Sequence, residues 1–190
     1  MKYLKLHLSS PLQYFATTPS VVLNHDAQTS NRPTKRAIIG LIASALGIDR
    51  DDVDSLQNLT DSLIVKEKSN SIPMIVKDTQ TVRPLRCQTY YANKYYKKAH
   101  PFKLSKAKGG VKADNEQCIF KTVIYLQNAD FTVFVGSEDE TVLQKIYDAL
   151  RNPVYALYIG KRSCVPNKPL TENTFTVYQE EDFDNVYDCV

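Results

Sequence analysis

His100 follows Tyr95, Tyr96, Lys97 and Lys98 within one short stretch, and these are the residue types that could do chemistry in this chain. Cleavage of RNA without a metal needs a general base near the 2′-hydroxyl, a general acid for the leaving oxygen and cations for the developing charge. His25, beside Asp26, is a second candidate base. The same residues need only bind: cations neutralise phosphates and release counterions, while tyrosine faces stack on unpaired bases. The sequence shows no paired carboxylates, no nucleophile elbow and no nucleotide-type phosphate loop.

The surroundings of His100 favour a polyanion as partner. From Arg83 to Lys112 run nine cations, Arg83, Arg86, Lys94, Lys97, Lys98, Lys103, Lys106, Lys108 and Lys112, without one Asp or Glu. Tyr90, Tyr91, Tyr95 and Tyr96 stand among them. The whole chain is only +3, so taking away these nine charges leaves 3 − 9 = −6 for the rest, and the basicity is local. Interleaved lysine and tyrosine suits single-stranded nucleic acid, and a solvated lysine-rich loop is the bland alternative. Gly109-Gly110 marks a bend or tip.

Length and composition bound the rest. With 190 residues, 43% of them hydrophobic and 24% charged, the chain can form one packed domain plus a sizeable excursion. No stretch approaches a bilayer span and MKYLKLHLSS alternates in polarity, so the expectation is a cytoplasmic protein with no membrane partner. Cys87, Cys118, Cys164 and Cys189 are widely spaced, which indicates neither a metal knuckle nor a disulfide framework; free thiols are the default, and an oxidising compartment would still allow bridges between distant cysteines. No cofactor or metal site is expected.

The elements that must position these groups follow from periodicity. Leu4, Leu6 and Leu8 alternate with Lys5 and His7, predicting a half-buried strand over 2–8. Residues 9–31 read as a long loop. PTKRAIIGLIASALGI, 33–48, predicts a buried helix with Thr34 as N-cap and Gly47 at its end; Gly40 and Ser44 would let another backbone approach. Arg32, Lys35 and Arg36 at its start, where the dipole disfavours cations, make sense around an anion and equally as chains splayed into water. Strands are expected at 62–68 and 72–77, then a strand pair FKTVIYLQ and DFTVFV. A helix capped by a Ser137/Glu140 box follows, with Val142, Leu143, Ile146, Tyr147 and Leu150 inward, then a last strand over 154–159. That tally gives an α+β fold on the ferredoxin-like (RRM-like) β-α-β-β-α-β plan, with a long inserted basic hairpin at 83–118. Domain 1–170 is followed by an acidic tail, 171–190, which could fold back on the basic arm, dock to a partner or stay disordered, the last two being the expected states.

Four stretches, SSPLQYF at 9–15, RPTKRAIIGLIASALGIDRDD at 32–52, YLQNADFTV at 125–133 and LYIGKRSCVPNKPL at 157–170, resemble in order and spacing the CasD family. This is the family of subunits that cap the 5′ handle of CRISPR RNA in the type I-E Cascade surveillance complex. The resemblance implies a ferredoxin-like domain whose inserted hairpin, the thumb, kinks the RNA between handle and guide, and here the thumb corresponds to 83–118. It also implies RNA or subunit contacts at Pro33, Thr34, Lys35 and Arg36 and at Gly160, Lys161, Arg162, Ser163 and Cys164. The implied partners are the CRISPR RNA 5′ handle, the backbone and large subunits, and target DNA through the assembled complex. Many relatives carry a tryptophan and a glycine after the Pro-Leu-Gln motif, where this chain has Tyr14, Phe15 and Ala16. A related subunit of type I-C systems cuts precursor CRISPR RNA itself; in type I-E systems a different subunit does so, which favours binding over cleavage here. The expected RNA-contacting set is Arg32, Lys35, Arg36, Arg83, Arg86, Lys94, Tyr95, Tyr96, Lys97, Lys98, His100, Lys103, Lys106, Lys108, Lys161 and Arg162.

Overall fold

The computed structural model describes residues 1–17, 28–82 and 119–189. The fold is mixed α/β with two antiparallel sheets. The larger sheet is built from β1 (Lys2–Ser9), β6 (Asp130–Ser137) and β3 (Ile64–Ser69), with two-residue strands β7 (Val177–Tyr178) and β8 (Tyr187–Asp188) on its edges, in the order β7-β1-β6-β3-β8. The smaller sheet has the order β2-β5-β4, from β2 (Leu12–Gln13), β5 (Ile119–Gln127) and β4 (Met74–Val82).

The alternation in β1 sends Leu4, Leu6 and Leu8 to one face, where Val133, Val135 and Phe131 of β6 and Val65 of β3 join them in the core. Two helices cover that face: α1 (Lys35–Leu46), through Ile38 and Ile42, and α3 (Glu140–Arg151), through Leu143, Ile146 and Leu150. Thr34 caps α1 by accepting from Ala37 N, and Gly47, at φ 77°, closes it with its N–H on helix carbonyls. Gly40 is exposed and a Cβ there would meet nothing within 4 Å, so no backbone approaches it among the described residues.

Several expectations are corrected. A helix unforeseen in the sequence, α2 (Val53–Ser62), is capped by Asp52 and buries none of its residues. FKTVIYLQ and DFTVFV are strands but not a pair, because β5 joins β4 and β2 while β6 lies between β1 and β3. Asp139, not Ser137, caps α3 by accepting from Thr141 N at 2.8 Å; Ser137 Oγ accepts from Asp139 N. Residues 154–159 form no strand: the N–H groups of Val154 and Tyr155 donate instead to Ala45 O and Ser44 O, ending α1. The loop expected at 9–31 contains β2 and an Ala16–Thr29 bridge.

The acidic tail is ordered against the sheet. β7 pairs with β1, β8 pairs with β3, and a 3-10 turn (Glu180–Asp182) connects them. Phe183 packs its ring 3.9 Å from that of Phe134 and 5.0 Å from that of Tyr3. No helix among the described residues is long and apolar enough to cross a membrane.

Candidate nucleic-acid interface

The segment 10–16 ties three loops together. Gln13, fully buried, donates its amide to Leu8 O at 3.0 Å and Ala129 O at 2.7 Å, joining the end of β1 to the β5–β6 turn. Ser10 Oγ lies 2.7 Å from Val165 O. Tyr14 N donates to Ile159 O and Ser30 N to Phe15 O, so the turns bearing Lys161 and Arg32 attach to neighbouring residues of one short stretch.

The 159–164 turn is held by Ile159 N on Cys164 O and Cys164 N on Lys161 O, both at 2.8 Å. Gly160 sits at φ 95°, and a Cβ on it would fall 1.6 Å from Tyr14 O, so only glycine fits. That approach puts Lys161 Nζ 4.1 Å from the centre of the Tyr14 ring and 5.5 Å from that of Tyr125. A cation at this distance over an aromatic face is stabilised by the ring quadrupole. Burial raises the Tyr14 phenol above its ordinary value, so it stays protonated, and burial likewise raises the Cys164 thiol. Arg162 is exposed beside them.

At the start of α1 the three expected cations differ. Arg32 Nη1 donates at 3.1 Å to Oε1 of Glu67, a carboxylate only 1% exposed, and its guanidinium carbon lies 4.5 Å from the centre of the Tyr187 ring. Desolvation raises the Glu67 pKa, and Arg32 pulls it back down. Arg32 therefore braces β3 and the tail strand β8, and any phosphate contact by it must compete with Glu67. Lys35 is half-buried and Arg36 exposed, and neither makes an ion pair among the described residues.

Arg83, Arg86, Lys94, Tyr95, Tyr96, Lys97, Lys98, His100, Lys103, Lys106, Lys108 and the alternative base His25 lie outside the described residues. What is described is the ribbon that leads to them. β4 and β5 pair without interruption from Met74↔Gln127 to Val82↔Ile119. At roughly 3.3 Å per residue, the outer end of this ribbon is about 26 Å from β2. No group of three or more metal-ligating side chains occurs among the described residues.

The family model for CRISPR-associated protein (Cas_Cas5) matches residues 3–188. The chain belongs to this family. This Cas5-family chain is 26% identical over 174 residues to the CRISPR system Cascade subunit CasD of Escherichia coli (strain K12), a match covering 88% of the chain and 69% of that protein. Its fold is similar to a chain of a CRISPR RNA-guided surveillance complex, with a TM-score of 0.64 and 23% identity over 88% of the chain. It is also similar to a Cas protein crystal structure, with a TM-score of 0.58 and 24% identity over 93% of the chain. The chain spans 61% and 66% of the lengths of those two solved chains.

Sequence reasoning passed over the residues that build the Cas5-family chain's 159–164 corner. Gln13, Tyr14 and Tyr125 sat inside recognisable stretches, yet nothing local showed that they meet Lys161. The outward row Lys5, Phe134, Lys66, formed by register across β1, β6 and β3, was equally invisible.

Proposed function

We propose that this chain is a non-catalytic RNA-binding subunit of a type I-E Cascade surveillance complex, capping the 5′ handle of CRISPR RNA in antiviral defence. In this reading it works in the cytoplasm, contacts the backbone and large subunits, and meets target DNA only through the assembled complex. The observation that carries the reading is the concentration of nine cations without an acid in 83–112, set between the in-register strands β4 and β5. A segment that leaves and returns at one ribbon end suits an inserted thumb. The order β7-β1-β6-β3, with α1 following β1 and α3 following β6, is the one a ferredoxin-like domain requires, which supports that finer description. Family membership and the likeness to the Escherichia coli Cascade subunit CasD support the choice of RNA.

The mechanism is positional. Arm lysines and arginines, with Lys35, Arg36 and Arg162 at the domain, hold phosphates, and arm tyrosines stack on bases whose Watson–Crick edges single-stranded RNA leaves open. Lys161 would swing from the Tyr14 face toward a phosphate or stay there as a cationic cap to an aromatic surface. The test is incubation of the purified chain with end-labelled CRISPR repeat RNA in EDTA, comparing wild type with His100→Ala and His25→Ala on binding and denaturing gels. Specific handle binding with intact RNA in all three is the expected result. Cleavage at one discrete position that either substitution abolishes would make the chain a metal-independent processing endoribonuclease.

A further inference from the structure

The face of the larger sheet turned away from the helices is not an ordinary outer surface. Register aligns Tyr3, Gly136 and Ile64 in one row, Lys5, Phe134 and Lys66 in the next, and His7, Thr132 and Lys68 in the third. The first row is shaped for a flat ring: a Cβ on Gly136 would lie 2.5 Å from the Tyr3 ring. Two aromatic rings flanked by three lysines form a platform of the composition that takes unpaired bases and their phosphates.

What occupies this platform is a segment of the chain's own acidic tail. Phe183 covers the Tyr3 and Phe134 rings where a base would stack. Glu180 pairs with Lys66, and Glu172 pairs with Lys5 at 3.0 Å, where phosphates would lie. The tail carries six acidic residues and no cation after Lys168. It lies mainly on the sheet: no residue from 172 to 189 is fully buried, though Phe175 and Cys189 pack against the core, and its two edge strands are two residues long. The third row is open at its Lys68 end: Lys68 makes no ion pair among the described residues, whereas His7 Nε2 lies 3.8 Å from Glu172 Oε1 and Thr132 accepts from Asn70 at 2.9 Å. Beside His7 is an open depression of about 510 Å³ lined also by Lys168, Pro169, Thr171, Glu172 and Asn173.

We infer that the outer face of this sheet is a second binding surface for single-stranded nucleic acid, held closed by tail residues 172–183 that imitate a strand, Phe183 standing for a base and Glu172 and Glu180 for phosphates. The strand gains a foothold on Lys68 and displaces the tail row by row. This surface uses no residue of 83–118, and the inference stands whether or not the arm captures the handle.

The test uses the full chain with Lys94, Lys97 and Lys98 changed to Glu, so that arm binding does not mask the sheet. Anisotropy of a fluorescein-labelled oligouridylate, and of an oligothymidylate, is titrated with this parent, with the parent carrying Glu180→Gln and Phe183→Ser, and with the latter also carrying Lys66→Gln and Lys68→Gln. Loosening the tail is expected to tighten binding about tenfold, and neutralising the two lysines to remove the gain. A cooperatively melting loosened chain that binds no more tightly, that keeps its gain without Lys66 and Lys68, or that only self-associates overturns the proposal. Should the loosened chain fail to fold, hydrogen exchange on the parent decides: saturating oligouridylate is expected to deprotect the amides of 172–183, and unchanged exchange overturns it.

Discussion

A methyl group at position 160 has nowhere to go: φ is +95° and the added carbon would overlap Tyr14 O. Gly160→Ala is therefore expected to cost about 3 kcal/mol in urea unfolding, from left-handed strain plus the shift of the 12–16 stretch. Glu67 gives a pH-dependent case. Its folded pKa is raised by burial, so its contribution to stability is greatest at low pH and falls as pH rises through that raised value. Arg32 opposes the shift, and Arg32→Ala raises the folded pKa further. The variant should lose about 2 kcal/mol at pH 7, where an unpaired buried carboxylate must stay charged or take up a proton, and much less at pH 4. Equal losses at both pH values in parallel denaturant titrations would show that Arg32 acts by packing on Tyr187 alone. Thr34 and Gly47 were legible as caps because capping chemistry is settled within a few residues. The glycine requirement at 160 and the Arg32–Glu67 pair were not, since each depends on a neighbour distant in the chain.

Elements with a buried stripe announced themselves: α3 through Leu143, Ile146, Tyr147 and Leu150, and β1 through its alternating leucines. Helix α2 did not, because it fully buries no residue: Leu59 packs against the edge of the core, and the Asp52 cap and side-chain pairs such as Gln57 with Asp61 support the rest. The β-branched and aromatic run at 154–159 misled for the opposite reason: its propensity is overridden by the end of α1, whose carbonyls take its first two N–H groups. β5 and β6 show the same limit one level up, each a strand by composition but assigned to different sheets by tertiary packing. Gly40 is the place where an element can be improved. Exposed within α1 and without a neighbour in reach of a Cβ among the described residues, it weakens the helix for no contact with them. Gly40→Ala should stabilise the isolated chain by about 0.5–1 kcal/mol, read as a higher thermal midpoint. A neutral or negative shift would mean that the glycine is needed by the helix itself.

For the whole molecule the governing quantity is how charge is divided. Nine cations lie in 83–112 and six acids, with no cation, beyond Lys168, so a net charge of +3 hides two opposed fields. The sequence showed both, but not that the acids spend themselves on Lys5 and Lys66 of the sheet, because pairing across strands becomes visible only with the register. With the tail's charge partly neutralised by the sheet, the arm is left to dominate capture of a polyanion at long range. Each phosphate neutralised on a single strand contributes about 0.7 to the slope of log K against log salt. Changing Lys94, Lys97, Lys98, Lys103 and Lys106 to Gln should then lower that slope for handle RNA by up to about 3.5, while leaving the melting midpoint of the domain unaltered. The measurement is a set of anisotropy titrations across a salt series. If the neutralised arm keeps the wild-type slope, the phosphates are held elsewhere, and Lys35, Arg36 and Arg162 become the residues to change next.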